Sequence, residues 1–191
     1  MCAVPQLTDL DLTGIDTVAI DLETYDPNLK SKGLGAVRKD GFVTGIAIAT
    51  KNQTLYFPIA HAMTDNLNVN DTWEYLDEKL FKNKDIRKVF HNAMYDVCWI
   101  RSAIGHMPQG QLLDTMIAAS VIDETRMRYS LDAISKDYLK ESKYKYDLAE
   151  KSLAECGIKD PMSNMHKLPY SLVKDYAEQD VNLTLKLWNL F

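Results

Sequence analysis

The segment Thr17-Val-Ala-Ile-Asp-Leu-Glu-Thr24 contains the strand around which the rest of the fold can be built. Its first residues are apolar and often β-branched, which predicts a short buried strand over Thr17 to Leu22. Asp21 and Glu23 occupy alternate positions at its end, so both side chains project from one face. Roughly four such acidic pairs would arise by chance in a chain of this composition. The context carries more weight, because carboxylates that end a buried strand need cations or hydrogen-bond donors beside them.

The segments that follow predict two further strands and then a change of pattern. Val43 to Thr50 and Thr54 to Ile59 flank a polar turn, which indicates a hairpin beside the first strand. Asp71, with Glu74 three residues later, resembles a capping box at the start of a helix. Arg87 to Phe90 then returns to a strand pattern, so the chain changes here to alternating helices and strands.

The second half of the chain is mostly helical. One more short strand is predicted over Gln111 to Asp114, and residues 140–168 are expected to form a loop with one short helix. Helices are predicted over Ala93–Ala103, Thr115–Ile122, Ser130–Leu139 with Ser130 as N-cap, Leu148–Cys156 and Ser171–Phe191. This order predicts an α/β fold, a mixed five-stranded sheet with helices on both faces. We expect an N-terminal arm, residues 1–15, and one domain, residues 16–191.

Composition excludes several classes of protein. The 191 residues include 46% hydrophobic and 26% charged side chains, so disorder, a collagen-like chain and a coiled coil are excluded. The net charge of −5 means that any contact with nucleic acid must come from a local basic patch or a metal. Three cysteines without metal-ligand spacing indicate a reducing compartment. The chain shows no leader and no apolar run that could span a bilayer, so we expect an intracellular protein outside the membrane.

Two later segments add further acidic residues. Asp96 follows a predicted strand and falls in the first turns of a helix, where the positive end of the backbone favours an anion. Asn92 could cap that helix or contact a substrate, and both interpretations stay open. Tyr176 and Asp180 share one face of the last helix, which continues through apolar Leu183. No cation lies at helical spacing from Asp180, so a bound metal or a long-range salt bridge must compensate its charge.

Four carboxylates from three segments, without a cysteine or histidine set, indicate hard oxygen ligands for Mg²⁺ or Mn²⁺. Two such ions ~3.5 to 4 Å apart can stabilise the attacking and leaving oxygens of an in-line displacement at phosphorus. Tyr176, with an ordinary pKa of about 10, would be neutral and would orient the attacking water.

These motifs resemble a known family. Asp-x-Glu-Thr at a strand end, Asn-x-x-x-Asp after a later strand and Tyr-x-x-x-Asp on a late helix are similar to the three motifs of the DEDDy 3′→5′ exonucleases, which have an RNase H-like (DnaQ-like) fold. Within that family the chain looks most like the proofreading domain of family A, DNA polymerase I-like polymerases, particularly those of phages.

The resemblance implies a role for each matching position. It makes four carboxylates the ligands of two Mg²⁺ or Mn²⁺ ions, and it makes Tyr176 the residue that positions the attacking water. It places Thr24 and Asn92 near the terminal nucleotide and gives Asp114 a structural or supporting role. The four implied metal ligands are Asp21, Glu23, Asp96 and Asp180.

The implied function is removal of nucleotides from single-stranded or frayed DNA 3′ ends by a two-metal mechanism. Tyr25, Tyr95 or Tyr144 could stack on an unpaired base, or could belong to the core. The implied setting is a monomer in the cytoplasm of a phage-infected or bacterial cell. The chain stops within a helix, which leads us to expect a polymerase domain after it.

Several alternatives remain open at this point. A ribonuclease D-type exonuclease that trims RNA would use the same chemistry. A catalytically silent module that only binds DNA or supports a polymerase would be expected to lack carboxylates, and none is missing. The segment Tyr25 to Gly41 is longer than a simple hairpin link, and its lysines and Arg38 would either contact a phosphate backbone or remain solvated.

Overall fold

The computed structural model describes residues 3–191, except for the side chains of Lys145 and Tyr146. A five-stranded sheet in the order β3-β2-β1-β4-β5 forms its centre. β1 pairs antiparallel with β2 and parallel with β4, which confirms the predicted mixed sheet. The strands are β1 (Thr17–Tyr25), β2 (Phe42–Ala49), β3 (Thr54–Pro58), β4 (Arg87–Phe90) and β5 (Leu112–Asp114).

Helices α3 to α8 lie where the sequence pattern predicts them, with shifted ends, whereas α1 and α2 were not predicted. α3 and α6 each continue into a π-helical turn, over Asp77–Phe81 and Ser135–Leu139. The helices are α1 (Leu29–Lys32), α2 (Gly35–Arg38), α3 (Val69–Leu76), α4 (Ala93–Ile104), α5 (Thr115–Ile122), α6 (Leu131–Ile134), α7 (Lys145–Cys156) and α8 (Tyr170–Leu190). Among residues 3–191, none of these helices has the length and apolarity that a membrane crossing requires.

Alternate residues of β1 face two separate cores. Val18 and Ile20 pack in a cluster with apolar residues of α3 and α4, whereas Ala19 packs in a cluster with α7 and α8. Helices therefore cover both faces of the sheet, as predicted. Asp21 and Glu23 continue the row of Ala19, so they leave the sheet on the face that α8 covers.

Small side chains allow α8 to lie close to this face. Ala19, Ala47 and Ala49 are all fully buried beneath it. A helix that packs on alanines rather than on larger residues brings its own side chains nearer to the strands. The polar residues on the buried face of α8 therefore lie close to the central strand, β1.

One predicted capping interaction is wrong. α3 begins at Val69, and its N-cap is Asn68, whose side-chain oxygen accepts hydrogen bonds from the N–H groups of Asn70 (2.9 Å) and Asp71 (3.1 Å). The expected capping box of Asp71 and Glu74 does not form, because the helix has already started before Asp71. Asparagine caps helices about as well as aspartate, so residue type alone does not decide between Asn68 and Asp71 as the N-cap.

The segment between β1 and β2 is more ordered than predicted. It contains two single-turn helices, and Asp26 accepts a hydrogen bond from the Gly35 N–H at 2.8 Å. Arg38 forms ion pairs with Asp26 and Asp40, each at 3.3 Å. Its guanidinium therefore stabilises the segment itself, and the predicted contact with a phosphate backbone loses one of its cations.

The residues before β1 contribute to the core. Leu10 and Ile15, which fall in the predicted N-terminal arm, are buried in the core beside the sheet. Cys98 and Cys156 are free thiols, whereas Cys2 lies outside the described residues. The division into an arm, residues 1–15, and a domain, residues 16–191, stays a prediction.

A buried histidine links β3 to the segment before α8. The His61 Nδ1–H donates to the Leu168 carbonyl at 2.9 Å, and Nε2 accepts from the Tyr56 hydroxyl at 2.7 Å. Both bonds suit a neutral ring, and burial lowers the pKa of His61 to about 4. The folded protein therefore keeps this ring neutral at pH values where an unfolded chain would protonate it.

We predict that His61→Gln flattens the acid side of the stability profile. Between pH 6.5 and pH 4 the unfolded state binds a proton at His61 that the folded state excludes, so stability falls as the pH falls. This residue should contribute about 2 kcal/mol of the loss between pH 7 and pH 4.5, measured by urea unfolding at each pH.

The matched control is His106→Gln. The Met107 carbonyl and then Asp77 raise the pKa of His106, so this half-exposed ring stabilises the fold at low pH and its removal should steepen the acid loss. Equal pH slopes in wild type and His61→Gln would contradict the neutral buried ring.

Candidate active site

The end of β1 has regular pairing up to Glu23 and an irregularity just beyond it. Asp21 pairs with Ala47 and Glu23 with Gly45, after which the register shifts between Glu23 and Thr24. A Cβ atom at Gly45 would stand 2.1 Å from the Tyr56 hydroxyl, so glycine is needed here for that ring to fit. This β-bulge separates the two carboxylates from the residues that follow them.

Three of the four predicted carboxylates meet on the α8 face of the sheet. Asp21, Glu23 and Asp180 each offer an oxygen, and these atoms lie within 4.8 Å of one another. Asp180 is only 2% exposed. The convergence expected from sequence is therefore present between two segments, β1 and α8, that are separated by more than half of the chain.

Asp96 stands beside this cluster without joining the group of three. Its Oδ1 accepts a hydrogen bond from the Leu22 N–H at 3.1 Å, which ties the first turn of α4 to β1. Its carboxylate is buried, and the charges of Asp21 and Glu23 raise its pKa further. The fourth carboxylate therefore shares the electrostatic environment of the others.

Burial dominates the titration of all four acids. It raises the pKa of Glu23 and of Asp96 well above the usual range, with further increases from neighbouring carboxylates. It raises the pKa of Asp21 as well, and that of Asp180 to about 7, although Lys143 opposes both shifts. Such shifts, with a specific charged partner, are typical of functional sites and of sites that hold cations.

The structure also contains the long-range salt bridge that the sequence left open. Lys143 Nζ forms an ion pair with Asp180 Oδ2, and it lies 5.0 Å from the centre of the Tyr176 ring. The sequence prediction missed Lys143, because it comes from the segment before α7 rather than from the helix of Asp180. Spacing along the chain gave no signal for this pair.

The donor set nevertheless fits a divalent metal ion. The other oxygen of Asp180, Oδ1, is buried and has no hydrogen-bond partner among the described residues. The group of three offers only carboxylate oxygens, which suit Mg²⁺ or Mn²⁺. Among the described residues, Lys143 is the one cation that forms an ion pair with any of the four carboxylates.

Tyr176 lies where the sequence predicts it, one turn before Asp180. Its side chain is 5% exposed, and its pKa is raised by burial and by the charges of Asp180, Glu23 and Asp21. The phenol therefore stays protonated at neutral pH. A neutral hydroxyl beside the carboxylates can form hydrogen bonds but cannot remove a proton from water.

Thr24 and Asn92 differ in how the structure places them. Thr24 Oγ1 and the Tyr95 hydroxyl share a 2.6 Å hydrogen bond, which links the end of β1 to α4. Asn92 stands at the N-cap position of α4 with φ 69°, and its side chain makes no capping hydrogen bond. The interpretation of Asn92 as a cap is therefore wrong, and its predicted contact with substrate stays a prediction.

Asp114 supplies the missing cap. Its carboxylate accepts hydrogen bonds from the N–H groups of Asn92 (3.1 Å) and Ala93 (2.8 Å) at the start of α4. It also accepts from Met116 N–H at 2.8 Å and so caps α5. The supporting role that was expected for Asp114 matches these contacts, because it fixes the helix that carries Asp96.

Two cavities open beside the carboxylate cluster, and Met162 lines both. The Thr24 cavity has a volume of about 370 Å³ and is lined by Thr24, Tyr25, Asp26, Pro27, Leu29, Lys30, Tyr95, Met162 and Ser163. The Lys143 cavity has a volume of about 380 Å³ and is lined by Ser130, Leu131, Asp132, Lys136, Ser142, Lys143, Met162 and Tyr176. Tyr25 and Tyr95 thus line a cavity near the cluster, whereas the third candidate for stacking, Tyr144, lines neither.

The mixed sheet and its buried carboxylates define a nuclease-like α/β domain, and comparison with known proteins identifies its family. A family model described as 3′-5′ exonuclease matches residues 8–191, so the chain belongs to this family of exonuclease domains. The predicted resemblance to the exonuclease domains of DNA polymerases is confirmed. DNA polymerase DpoZ of Salmonella phage PMBT28 is 31% identical over 181 residues, which are 93% of this chain and 26% of that protein.

Solved structures confirm the RNase H-like fold. The RNase D–GMP complex of Trypanosoma brucei is 20% identical, with a TM-score of 0.70 over 96% of this chain and 52% of that one. NrnC of Brucella melitensis with bound Mg²⁺ is 22% identical, with a TM-score of 0.63 over 94% of this chain and 73% of that one. The chain thus spans about a quarter of the phage polymerase, and 52% and 73% of the two solved structures.

We predict that Asp114→Ala destabilises the fold at the helix that carries Asp96. The substitution removes the acceptor for the first N–H groups of two helices, so the free energy of unfolding should fall by about 1–3 kcal/mol. The measurement is urea unfolding at pH 7. Asp123→Ala is the control, because its carboxylate accepts hydrogen bonds from the N–H and the hydroxyl of Thr125 and caps no helix start. A loss at Asp114 no larger than at Asp123 would contradict the double cap.

Proposed function

We propose that the domain is a divalent-metal-dependent exonuclease that removes nucleotides from DNA 3′ ends, and that it proofreads for a DNA polymerase. The convergence of Asp21, Glu23 and Asp180, with one oxygen of Asp180 left without a partner, supports the proposal most directly. Membership of the 3′-5′ exonuclease family supplies the direction of the reaction.

The carboxylates would hold two Mg²⁺ or Mn²⁺ ions, as in the sequence-based expectation. Asp21, Glu23 and Asp180 would be direct ligands, and Asp96 would complete the set from α4. Divalent ions bound in this way stabilise charge on the attacking and leaving oxygens and lower the pKa of bound water. The Mg²⁺ bound to the similarly folded NrnC is consistent with this choice of ion.

The protein itself would position the reactants. Tyr176, held protonated by its surroundings, would orient the attacking water through its hydroxyl. Thr24 and Tyr95, joined by their hydrogen bond, form one wall of the Thr24 cavity, into which the terminal nucleotide would fit. Asn92, at the start of α4, would contact the same nucleotide. Tyr25 in that cavity offers a ring on which an unpaired base could stack.

The relatives favour DNA as substrate and a polymerase as partner. The matching phage proteins are DNA polymerases, so we place this domain beside a polymerase domain in the same protein, in the cytoplasm of the host cell. Such a domain would act on a single-stranded or frayed 3′ end and would work as a monomer. The likeness to RNase D concerns the fold, so matched RNA substrates belong in the test.

We predict that Asp180→Asn abolishes most nuclease activity while Asp175→Asn preserves it. Both residues lie on α8, but Asp180 belongs to the carboxylate cluster and Asp175 is exposed. With Mg²⁺ and 3′-labelled single-stranded DNA, kcat/KM should fall roughly 10²- to 10³-fold for Asp180→Asn and less than about twofold for Asp175→Asn.

The same assay separates the alternatives. Faster degradation of a matched RNA oligomer would favour the RNA-trimming function. Absence of Mg²⁺-dependent degradation by the folded wild-type domain, on either substrate, would indicate a silent module. Equal rates for Asp180→Asn and wild type would remove the proposed site itself.

We predict a separate signature for Tyr176→Phe. The phenyl ring keeps its packing but loses the hydroxyl, so kcat should fall about 10- to 100-fold while Mn²⁺ binding, measured by calorimetry, stays within about twofold of wild type. A weakened Mn²⁺ affinity instead would make Tyr176 part of the metal site rather than the residue that orients water.

A further inference from the structure

Lys143 occupies an unusual place for a lysine. Its ammonium forms an ion pair with Asp180 Oδ2, and its side chain is only 20% exposed. The face of the Tyr176 ring lies 5.0 Å from Nζ and adds a favourable cation–π contact. A lysine so placed is part of the carboxylate cluster rather than of the protein surface.

The charge of Lys143 is held by several carboxylates together. Its ammonium contacts Asp180, whose carboxylate lies in one group with those of Asp21 and Glu23, the oxygens being within 4.8 Å of one another. The ammonium partly compensates the carboxylates that would otherwise repel one another in a buried site.

A divalent ion would use the same anions. Asp180 belongs to the group of three carboxylates that can share one ion, and Lys143 already takes one of its oxygens. Two cations at one buried carboxylate repel strongly, because the surroundings screen charge poorly. The lysine ammonium and a metal ion therefore compete for the Asp180 carboxylate.

A cavity beside Lys143 could receive its ammonium group. Lys143 lines a cavity of about 380 Å³ together with Asp132, Ser130 and Ser142. Asp132 in this cavity pairs with Lys136 at 2.7 Å and accepts a hydrogen bond from the Lys143 N–H at 3.4 Å, so the cavity wall is polar. Rotation of the flexible lysine side chain could move the ammonium from Asp180 into this polar cavity without a change in the backbone.

We propose that Lys143 is a built-in counter-cation of the carboxylate cluster, whose ammonium occupies Asp180 when no divalent ion is bound and moves into the Lys143 cavity when one binds. This inference rests on the metal site of the proposed function. It makes Lys143 a positioning residue that holds the ligands together and sets a lower metal affinity than the carboxylates alone would give.

The test is calorimetric titration of the intact chain with Mn²⁺ in the absence of DNA. Lys143→Met keeps the length of the side chain and removes its charge, so Mn²⁺ should bind roughly tenfold more tightly than to wild type. Lys136→Met is the matched control, because Lys136 lines the same cavity and forms an ion pair with Asp132 at 2.7 Å. Its affinity should stay within about twofold of wild type.

Thermal unfolding gives a second readout. Lys143→Met should melt below wild type in EDTA, since the cluster has lost its counter-cation, and saturating Mn²⁺ should close or reverse that gap. Lys143→Arg keeps the charge and should restore both the weaker Mn²⁺ binding and the melting temperature in EDTA. If Lys143→Met does not fold in EDTA, it should fold when Mn²⁺ is present.

Each outcome has a distinct meaning. Unchanged or weaker Mn²⁺ binding by Lys143→Met, beside a wild type that binds Mn²⁺ and degrades DNA, overturns the counter-cation and leaves the proposed function intact. Wild type that binds no Mn²⁺ overturns both. Tighter binding by Lys136→Met to the same extent would show a general charge effect and would also overturn the specific role of Lys143.

Discussion

The burial of several carboxylates in one place is the constraint on which this structure depends. A carboxylate removed from water is costly unless cations or donors surround it, and the cost grows when further carboxylates stand nearby. Asp21, Glu23 and Asp180 meet within 4.8 Å, and the pKa of each is raised. The fold therefore holds these groups in an arrangement that they would not adopt for stability alone.

The rest of the architecture brings the acids together and keeps them there. Alanines on one face of the sheet let α8 approach β1, and α8 carries Asp180 on the side that faces the strands. The hydrogen bond from Leu22 N–H to Asp96 fastens α4 to the same strand. Asp114 in turn fixes the first turn of α4. Such a set of supporting contacts orients ligands before any ion or substrate binds.

The local features of the fold and site could be predicted from sequence because they depend on local periodicity. Alternation along β1 placed Asp21 and Glu23 on one face, and the four-residue spacing on α8 placed Tyr176 above Asp180. The order of strands and helices predicted the mixed sheet.

The remaining features depend on contacts between distant segments. Lys143 reaches Asp180 from a segment without a regular pattern, so no spacing rule connects the two. Asp114 caps a helix that starts 21 residues before it. The side chain of Asn92, although at the N-cap position, therefore does not cap α4. The order within residues 25–41 follows from ion pairs of Arg38 that composition alone does not reveal.

The β-bulge after Glu23 separates two parts of the strand that have different tolerance for change. Regular pairing holds Glu23 opposite Gly45, whereas the chain beyond the bulge leads directly to the single-turn helices of residues 29–38. Insertions or deletions beyond Tyr25 would thus reshape the rim of the Thr24 cavity while the acids keep their register. Related chains could in this way diverge in the nucleotides they accept without rebuilding the chemistry beneath.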